Sequence, residues 1–466
     1  MMDIEHLKGL SADSRSVKPG YCFVAIKGKI FNGEEYIEQA IANGATCIIL
    51  REGAKIEENH GIEYRYVQDT RKALSALAHA LYQPQPQNIV AVTGTNGKTS
   101  VAYFFMQLCS LYGLKSASIG TLGVLQSTQE SSTEFDSTLT TPDSASLNST
   151  LKNLALQDVT HVALEASSHG LAMKRLNAVP LKAAGFTNLS RDHLDFHRTY
   201  EDYFIAKQSL FADLLLETGT AILNADVSEY ETLCKICDDR HIKIVTYGKN
   251  NKSDLRIIKA ENNTLSLEIF GERLNTEFHL PGEFQVCNAL CAAGLALAVD
   301  ISYKQIIQNI SLLRYVPGRM EIVRKLDNGA TIFIDYAHTP DALKNALIDL
   351  RKICNGVLYV VFGCGGNRDQ GKRPLMGAIA QEFADHIIIT DDNPRNEDPV
   401  IIRSQIREAC NSAVEIADRE EAITTAMSRL KHNDYLLIAG KGHEQYQIIG
   451  DIKYHMSDHE IVKRYL

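Results

Sequence analysis

The sequence predicts an α/β protein built from three domains. The chain of 466 residues is too long for one ordinary core, since a domain takes about 100–200 residues. Short apolar runs typical of buried strands alternate with helical stretches along the chain. Two segments rich in proline or glycine, residues 82–88 and 315–319, interrupt this alternation. We therefore predict domains at residues 1–85, 86–316 and 317–466.

The two outer domains are both predicted to be α/β. In the first, which is small, apolar runs at 21–26 and 45–50 predict strands, and residues 34–42 predict a helix. In the last, strand-like runs alternate with helical stretches, which favours a Rossmann-like parallel sheet. The strand-like runs are 331–334, 358–362 and 387–390, and the helical stretches are 341–351 and 376–383.

Composition excludes several classes of protein. Apolar residues at 45% and charged residues at 23% are typical of a folded globular chain. No run approaches the ~18 apolar residues of a membrane span, and the start lacks a basic region followed by an apolar one, which predicts a cytoplasmic protein without membrane insertion. A net charge of −9 argues against nucleic acid as a partner. The ten cysteines, whose one CxxC pair is Cys234 and Cys237, indicate reduced, buried thiols.

A phosphate-binding loop is predicted between a strand at 88–93 and a helix at 100–112. Its glycines allow successive N–H groups to face phosphates, Lys98 supplies a charge, and Thr99 supplies a hydroxyl for Mg²⁺. Val92 stands where the standard spacing has glycine, so the loop is a shorter variant. The central domain is therefore predicted to be a P-loop-type ATPase domain with a mostly parallel sheet. The predicted ATP contacts here are Gly94, Thr95, Asn96, Gly97, Lys98, Thr99 and Ser100.

Three further residues of the central domain have chemistry suited to a metal site. Glu165 ends a strand-like run, where open α/β sheets place ligand-binding groups. His193 lies in a polar stretch, residues 187–197, that is equally typical of a capped helix start with solvated side chains. Mg²⁺ prefers oxygen, so His193 would be an unusual ligand. Lys207 lies in a predicted helix, where a lone lysine is usually on the surface.

Together these residues resemble the Mur ligases, which add amino acids to the UDP-linked peptidoglycan precursor. The resemblance runs through essentially the whole chain, with the motifs in the family's order. These motifs are residues 94–100, Glu165 with residues 167–170, residues 188–193, Lys207, residues 317–321, residues 335–341 and residues 440–444.

The resemblance implies an ATP-dependent ligase that activates a carboxylate as an acyl phosphate. It assigns Lys98, Glu165, His193 and Lys207 to catalysis. Thr99 and Glu165 would hold Mg²⁺ near the ATP phosphates, and His193 with Lys207 would hold a second Mg²⁺. For that role Lys207 would carry a carbamate derived from CO₂, which turns a cation into an oxygen ligand.

The same resemblance implies nucleotide contacts outside the loop. Asn288, Arg319 and Asp335 match residues of the family that bind ATP. Gln285 departs from the pattern, because family members usually carry asparagine there. We expect Asn288 to contact adenine and leave open a contact by Gln285.

The tetrapeptide at 392–395 resembles the signature of the members that add meso-2,6-diaminopimelate. Relatives that add lysine usually lack the arginine equivalent to Arg395. Diaminopimelate has a second, distal carboxylate that a guanidinium binds bidentately, whereas lysine offers an ammonium there. Without this context an Asn-Pro tetrapeptide after a strand would be a turn. The resemblance places Arg368, Asp392, Asn393, Pro394, Arg395, Gly440 and Glu444 in the amino-acid pocket.

A further set matches residues that bind the UDP-linked precursor. They are Ser14, Lys29, Ile30, Phe31, Thr140, Thr141, Ser167 and Arg175. Met173 stands where some relatives have glutamine, so one substrate hydrogen bond is expected to be missing or replaced. The implied partners are the UDP-linked dipeptide precursor, meso-diaminopimelate and ATP, bound by a monomer.

Two other functions compete with this interpretation. Folylpolyglutamate synthetase shares a similar phosphate loop and ligase chemistry, but it does not explain residues 392–395 or the N-terminal domain. An ATP-dependent conformational switch would need the loop alone and would have no use for a carbamate on Lys207.

Overall fold

The computed structural model describes residues 6–28, 31–128, 139–261 and 263–465. Among these residues, three large sheets come from successive parts of the chain, and a two-stranded hairpin forms a fourth sheet. The predicted precursor contacts Lys29 and Ile30 lie outside the described residues.

The N-terminal sheet has four parallel strands in the order β1-β2-β3-β4. Its elements are β1 (Gly9–Ser11), β2 (Tyr21–Val24), α1 (Ile37–Ala42), β3 (Ala45–Arg51), β4 (Glu63–Val67) and α2 (Thr70–Leu81). The strands predicted at 21–26 and 45–50 are present, although β2 ends two residues earlier and β3 one residue later than predicted. The helix predicted at 34–42 is α-helical only from Ile37, because Gly33–Tyr36 forms a 3₁₀ turn that begins where the Asn32 side chain accepts from Glu34 N–H.

The central sheet has ten strands in the order β14-β13-β12-β11-β10-β9-β5-β8-β6-β7. Pairs β5–β8, β5–β9, β6–β8, β9–β10, β10–β11 and β11–β12 are parallel, which confirms a mostly parallel sheet. The strands are β5 (Asn88–Thr93), β6 (Ser116–Gly120), β7 (Gly123–Gln126), β8 (His161–Glu165), β9 (Leu181–Phe186), β10 (Leu215–Asn224), β11 (Lys243–Gly248), β12 (Leu255–Glu261), β13 (Thr264–Ile269) and β14 (Glu272–Glu277).

Helices cover both faces of this sheet. They are α3 (Lys98–Leu111), α4 (Ser144–Leu156), α5 (Ser168–Ala172), α6 (Leu194–His197), α7 (Tyr200–Ser209), α8 (Tyr230–Asp239), α9 (Glu283–Leu297) and α10 (Tyr303–Ile310). On one face α3 and α9 pack through buried residues such as Phe105 and Leu290. On the other, Leu151 and Leu233 bury α4 and α8. The strand at 88–93 is as predicted, while α3 begins two residues earlier than predicted, at Lys98.

The C-terminal sheet has six strands in the order β15-β16-β20-β17-β18-β19, all parallel except the edge strand β15. The elements are β15 (Glu321–Lys325), β16 (Thr331–Asp335), α11 (Pro340–Ile353), β17 (Leu358–Phe362), α12 (Lys372–Phe383), β18 (His386–Ile389), α13 (Pro399–Arg407), β19 (Val414–Glu415), α14 (Arg419–Ser428), β20 (Tyr435–Ala439), the hairpin β21 (Tyr446–Ile449) and β22 (Ile452–His455), and α15 (Asp458–Arg464). The predicted alternation of strands and helices is confirmed, although α12 begins four residues before the predicted start.

Many of the predicted functional residues lie at the carboxyl ends of the parallel strands. β5 ends at the phosphate loop, β8 ends at Glu165, and β9 leads into the segment that contains His193. In the C-terminal sheet, β16 ends at Asp335, and β17, β18 and β20 lead into the loops of Arg368, Arg395 and Glu444. This edge is where open α/β sheets bind ligands.

Two general features concern the side chains and the helices. The ten cysteines are free thiols, and seven of them are buried. Among the residues described, no helix is both long and apolar enough to cross a membrane.

The packing of α3 against the central sheet predicts a large effect of one core substitution. Phe105 is fully buried, so Phe105→Ala should lower the free energy of unfolding by about 3–5 kcal/mol. Leu111→Ala on the same helix is the control, because Leu111 is 41% exposed and its loss should cost under about 0.5 kcal/mol. Denaturant unfolding of both variants measures this. Equal destabilisation would contradict the described packing.

Candidate active site

The phosphate loop is held by the segment that follows β9. Thr95 N–H donates to the carbonyl of Asn188 at 2.9 Å, and Asn96 N–H donates to the Asn188 side chain at 2.9 Å. Gly94 and Gly97 have φ of +150° and +88°, and a Cβ on Gly97 would lie 2.4 Å from Asn288 Oδ1. Glycine is therefore required here by both backbone conformation and space.

Lys98 is folded back over the loop. Its Nζ donates to the carbonyls of Gly94 and Thr95, both at 2.8 Å. Burial lowers the pKa of Lys98 from its usual value, although the nearby Glu165 opposes the shift. A partly buried ammonium that donates to carbonyls gains from a nearby anion, so the position suits phosphate.

Thr99 and Glu165 meet directly below the loop. Thr99 Oγ1 donates to Glu165 Oε2 at 3.0 Å. Thr121 donates twice to the same carboxylate, from N–H at 2.8 Å and from its hydroxyl at 3.0 Å. The carboxylate is buried and oriented by three donors, as a metal or phosphate site needs.

Two predicted nucleotide contacts come from the C-terminal domain. Arg319 Nη2 lies 3.4 Å from Thr99 Oγ1, and its guanidinium stacks 4.1 Å from the Tyr336 ring. Asp335 accepts from the N–H groups of Met320 at 2.6 Å and Ala337 at 2.7 Å. Burial lowers the pKa of Arg319 and raises that of Asp335. The structure therefore brings Arg319 and Asp335 to the loop from a different domain.

Gln285 lies behind Asn288 rather than beside it. Asn288 Nδ2 donates to Gln285 Oε1 at 3.1 Å, and Gln285 Nε2 donates to the Arg319 carbonyl at 3.3 Å. Gln285 is buried at 1% exposure. Its amide is thus engaged in orienting Asn288 and the backbone of Arg319, which leaves Asn288 as the residue of the pair that reaches the loop.

His193 lies at the other side of the loop, next to Asp192. Its backbone is left-handed, with φ of +54°, and Nε2 is 3.3 Å from Asp192 Oδ2. Burial lowers the pKa of His193 to about 3, so the ring is neutral and can act as a ligand. His338 of the C-terminal domain lies 3.8 Å from the same carboxylate. A helix does start in this stretch, with His193 at the N-cap position of α6, but Asp192 is buried rather than solvated.

Lys207 is buried, contrary to what its helix position alone suggested. It is 1% exposed, and Nζ donates to the Gly94 carbonyl at 2.6 Å and lies 4.5 Å from the Tyr203 ring. Burial is the main cause that holds the pKa of Lys207 well below the usual range, and the positive charge of nearby Lys98 is the second. The lowered pKa favours the neutral amine, which is the nucleophilic form of a lysine side chain.

The predicted metal ligands are Thr99, Glu165, His193 and Lys207. Within the described residues, no group of three or more His, Cys, Asp or Glu side chains is arranged to hold an ion. The predicted sets instead combine Thr99 with Glu165, and His193 with a carbamate on Lys207, and so depend on a hydroxyl and a modified lysine. Oxygen donors of this kind suit Mg²⁺, which also keeps waters and substrate phosphates as ligands. The residues present therefore fit Mg²⁺.

The predicted precursor contacts of the central domain cluster beside Glu165. Thr141 Oγ1 donates to the Glu165 carbonyl at 2.7 Å and lies 2.9 Å from Ser167 Oγ. Arg175 donates to the Thr141 carbonyl at 2.6 Å and contacts Met173 Sδ at 3.2 Å. The thioether of Met173, at the position where some relatives have glutamine, therefore contacts the Arg175 side chain. Thr140 Oγ1 lies 3.3 Å from Thr121 Oγ1, which connects the cluster to the donors of Glu165.

The N-terminal domain contributes the two remaining described contacts. Ser14 is buried and its hydroxyl donates to Gln39 Oε1 at 2.6 Å. Phe31 is 68% exposed, as expected of a ring that a ligand would cover. Neither residue has a described contact with the phosphate loop.

The predicted amino-acid pocket is formed by the loops after β17, β18 and β20. Arg395 is left-handed at φ +51°, and its Nη1 donates to the carbonyls of Gly366 at 3.0 Å and Asn393 at 3.3 Å. Asn393 Nδ2 donates to Glu444 Oε2 at 3.0 Å. Among the described residues, the Arg395 guanidinium donates to carbonyls and forms no ion pair with a carboxylate, so its charge is available to an anionic ligand.

Three other predicted pocket residues support this arrangement. Arg368 lies in the same charged region. The pKa of Arg395 is lowered mainly by burial and, second, by the positive charge of Arg368. Gly440 has φ of +111°, and a Cβ there would lie 2.7 Å from Asp392 Oδ2. Pro394 accepts from Glu397 N–H through its carbonyl at 3.1 Å. The structure therefore brings Arg368, Arg395, Asp392 and Glu444 together.

Several residues of the site were not singled out from the sequence. Thr121 donates to Glu165 from a loop far from any recognised motif, and no pattern in the sequence marks it. Tyr336 and Lys441 lie inside the motifs at 335–341 and 440–444, so position within a motif could have identified them. Tyr203 lies four residues before Lys207, one helical turn away, and contacts Thr95 Oγ1 at 3.1 Å.

Family models match nearly all of this architecture. Residues 6–82 match the model described as Mur ligase family, catalytic domain, residues 92–296 match the Mur ligase middle domain, and residues 318–442 match the Mur ligase, glutamate ligase domain. The three-domain α/β fold with a phosphate loop at the centre is thus that of a known class of ligases. The chain belongs to the Mur ligase family.

Individual relatives match over almost the full chain. A protein of Agrobacterium fabrum named UDP-N-acetylmuramoyl-L-alanyl-D-glutamate–2,6-diaminopimelate ligase is 42% identical over 98% of this chain and 92% of its own length. One of Zymomonas mobilis with the same name is 44% identical over 95% of this chain and 90% of its own length. A solved structure titled with that ligase name matches with a TM-score of 0.70 at 33% identity, over 98% of this chain and 94% of that one.

A solved folylpolyglutamate synthase of Mycobacterium tuberculosis shares the fold. It matches with a TM-score of 0.66 at 18% identity, over 80% of this chain and 92% of that one. At this identity the likeness concerns the fold alone.

The geometry of the phosphate loop predicts the effect of Gly97→Ala. The added methyl group would meet the Asn288 side chain, so affinity for ATP should fall at least about tenfold, measured by calorimetry. Gly113→Ala is the matched control. Gly113 has nearly the same φ, +87°, with nothing within 4 Å of a Cβ, so both variants carry the same left-handed cost of about 1–2 kcal/mol. Equal ATP affinity in the two variants would contradict the role of Gly97.

Proposed function

We propose that this protein is an ATP-dependent ligase that joins meso-2,6-diaminopimelate to UDP-N-acetylmuramoyl-L-alanyl-D-glutamate, through an acyl phosphate, in peptidoglycan precursor synthesis. The observation that carries the proposal is the pocket in which Arg395 and Glu444 lie on neighbouring loops of the C-terminal sheet. Together they offer a guanidinium to the distal carboxylate and a carboxylate to the distal ammonium of diaminopimelate. The relatives that carry the name of this ligase support the substrate.

The phosphate loop is suited to activation of the precursor. The D-glutamate carboxylate attacks the γ-phosphate of ATP, which forms the acyl phosphate and releases ADP. Lys98 and Arg319 offset the charge that moves between the reacting groups, and both are partly buried, where such interactions are stronger than in water. Mg²⁺ supplies further charge neutralisation when it is bound.

Lys207 is proposed to carry a carbamate. Its Nζ attacks the carbon of CO₂ and loses a proton, which leaves an anionic oxygen donor on a buried side chain. The lowered pKa of Lys207 supports this step, because burial favours the neutral amine over the ammonium. The modified side chain would serve with His193 as a ligand of the second Mg²⁺.

The second step joins the amino acid. The deprotonated amine of diaminopimelate attacks the acyl carbon and expels phosphate, which requires that water be excluded. Contacts between the central and C-terminal domains bring the two sites together. Arg191 pairs bidentately with Asp369 at 2.8 and 3.1 Å, and Asn96 Nδ2 donates to Asp341 at 3.3 Å.

Each of the three predicted domains would bind a different part of the substrates. Residues 1–85 bind the uridine diphosphate part of the precursor, with Ser14 and Phe31 as described contacts. Residues 86–316 bind ATP and the muramoyl peptide, and residues 317–466 bind the amino acid. Folylpolyglutamate synthesis is disfavoured, because it explains neither the Arg395 pocket nor the N-terminal domain.

Replacement of Lys207 tests the carbamate. Lys207→Ala should lower ligation at least about 100-fold, as losses around metal ligands do, and added formate or acetate should restore part of it. The matched control is Ile205→Ala on the same helix, since Ile205 is 57% exposed. Tripeptide formation measures both variants. Full activity of Lys207→Ala without added carboxylate would exclude the carbamate.

Replacement of Arg395 tests the choice of amino acid. Wild-type protein should use meso-diaminopimelate and not L-lysine, and Arg395→Ala should lower kcat/KM for diaminopimelate about 100-fold or more with little loss for lysine. Arg351→Ala is the control, because Arg351 pairs with Asp385 outside the pocket. The substrate proposal fails if wild-type protein uses both amino acids equally, or if the ratio is unchanged in Arg395→Ala.

A further inference from the structure

A buried lysine lies directly behind the amino-acid pocket. Lys441 follows β20 and is 0% exposed. Its Nζ lies 3.2 Å from Glu444 Oε2 and 3.3 Å from Asn393 Oδ1. Burial of an ammonium is costly unless charge and hydrogen bonds offset it, and both partners belong to the pocket. A lysine used only to fill space would therefore be an unfavourable choice here.

The contacts of Lys441 determine which oxygen of Glu444 remains available. Oε2 accepts from Lys441 Nζ and from Asn393 Nδ2 at 3.0 Å. Within the part of the chain that the structure describes, no protein group donates to Oε1. One oxygen of the carboxylate is thus used for positioning, and the other is available to a ligand ammonium.

The orientation of Asn393 depends on the same lysine. Asn393 Oδ1 accepts from Ile448 N–H at 2.8 Å and from Lys441 Nζ, so the amide oxygen faces two donors. The amide nitrogen is consequently the atom that faces Glu444. Lys441 therefore connects Asn393, Glu444 and the hairpin strand β21 in one network.

The charge of Lys441 also changes what the pocket selects. Lys441 offsets the charge of Glu444, while Arg395 is paired with carbonyls and retains its positive charge. A side chain that ends in a lone ammonium meets a carboxylate that already has a counter-ion. A side chain that ends in both an ammonium and a carboxylate satisfies Glu444 Oε1 and Arg395 together.

We propose that Lys441 is a positioning residue that determines amino-acid specificity, by neutralising and orienting Glu444 so that the pocket accepts a zwitterionic side-chain end and rejects a cationic one. This inference rests on the proposed function. Loss of the lysine leaves Glu444 with its full charge, which improves the pocket for L-lysine more than for diaminopimelate.

The test compares kcat/KM for meso-diaminopimelate and L-lysine in wild-type protein and in Lys441→Met. The ratio of the two should fall about tenfold in the variant, mainly through a gain for lysine. If the methionine variant does not fold, Lys441→Gln removes the charge and keeps a hydrogen-bonding group. A purely structural role would lower both values by the same factor, and that result would overturn the inference.

Two further variants test the route of the effect. In a Glu444→Gln background, adding Lys441→Met should change the ratio less than twofold, because the carboxylate that Lys441 neutralises is gone. Lys453→Met is the matched control, since Lys453 is exposed and lies on the same Tyr446 ring, 4.7 Å from its centre, where Lys441 lies at 5.8 Å. It should leave the ratio unchanged. An undiminished shift in the Glu444→Gln background, or an equal shift in Lys453→Met, would overturn the inference.

The outcomes separate this inference from the function on which it rests. Wild-type protein that does not ligate diaminopimelate would refute the proposed function. Wild-type protein that does so, with the same substrate ratio in Lys441→Met and Lys441→Gln, would refute the role of Lys441 alone.

Discussion

The hydroxyl of Thr99 is the point on which the site depends. It donates to Glu165 at the end of β8 and lies 3.4 Å from Arg319 of the C-terminal domain. Three separate parts of the chain, the phosphate loop, a neighbouring strand and a second domain, therefore meet at one atom. A site assembled in this way is complete only when the domains are in contact, which couples nucleotide binding to the approach of the amino-acid pocket.

The basic side chains around the phosphate loop are the second constraint. Lys98, Lys207 and Arg319 are all held near the loop with pKa values lowered first by burial. In the part of the chain that is described, Lys98 and Lys207 donate to carbonyls and make no ion pair with a carboxylate. Such an arrangement is costly in the free protein and is relieved by a polyanion, or, for Lys207, by conversion to an anion. The geometry thus favours a nucleotide triphosphate and a modified lysine on the same physical grounds.

Much of the fold was predictable from the sequence because strands and helices carried a clear apolar period. The strands at 88–93 and 358–362 lie where predicted, and the phosphate loop joins the predicted strand to α3. Helix starts were less accurate: a 3₁₀ turn precedes α1, and α3 and α12 begin two and four residues before their predicted starts. Residues 94–99 and Glu165 could be identified from type and spacing. The burial of Lys207, the bonds from Thr121 and the place of Gln285 behind Asn288 could not, because each depends on contacts between segments far apart in the chain.

The central claim is tested most directly by omitting each substrate in turn. Phosphate released from ATP and the peptide product are measured together, the product by mass spectrometry. We expect stoichiometric phosphate and UDP-linked tripeptide only when the UDP-linked dipeptide, meso-diaminopimelate and ATP are all present. Phosphate release that is independent of the dipeptide and the amino acid, with no tripeptide formed, would contradict the account and would favour an ATP-dependent conformational switch.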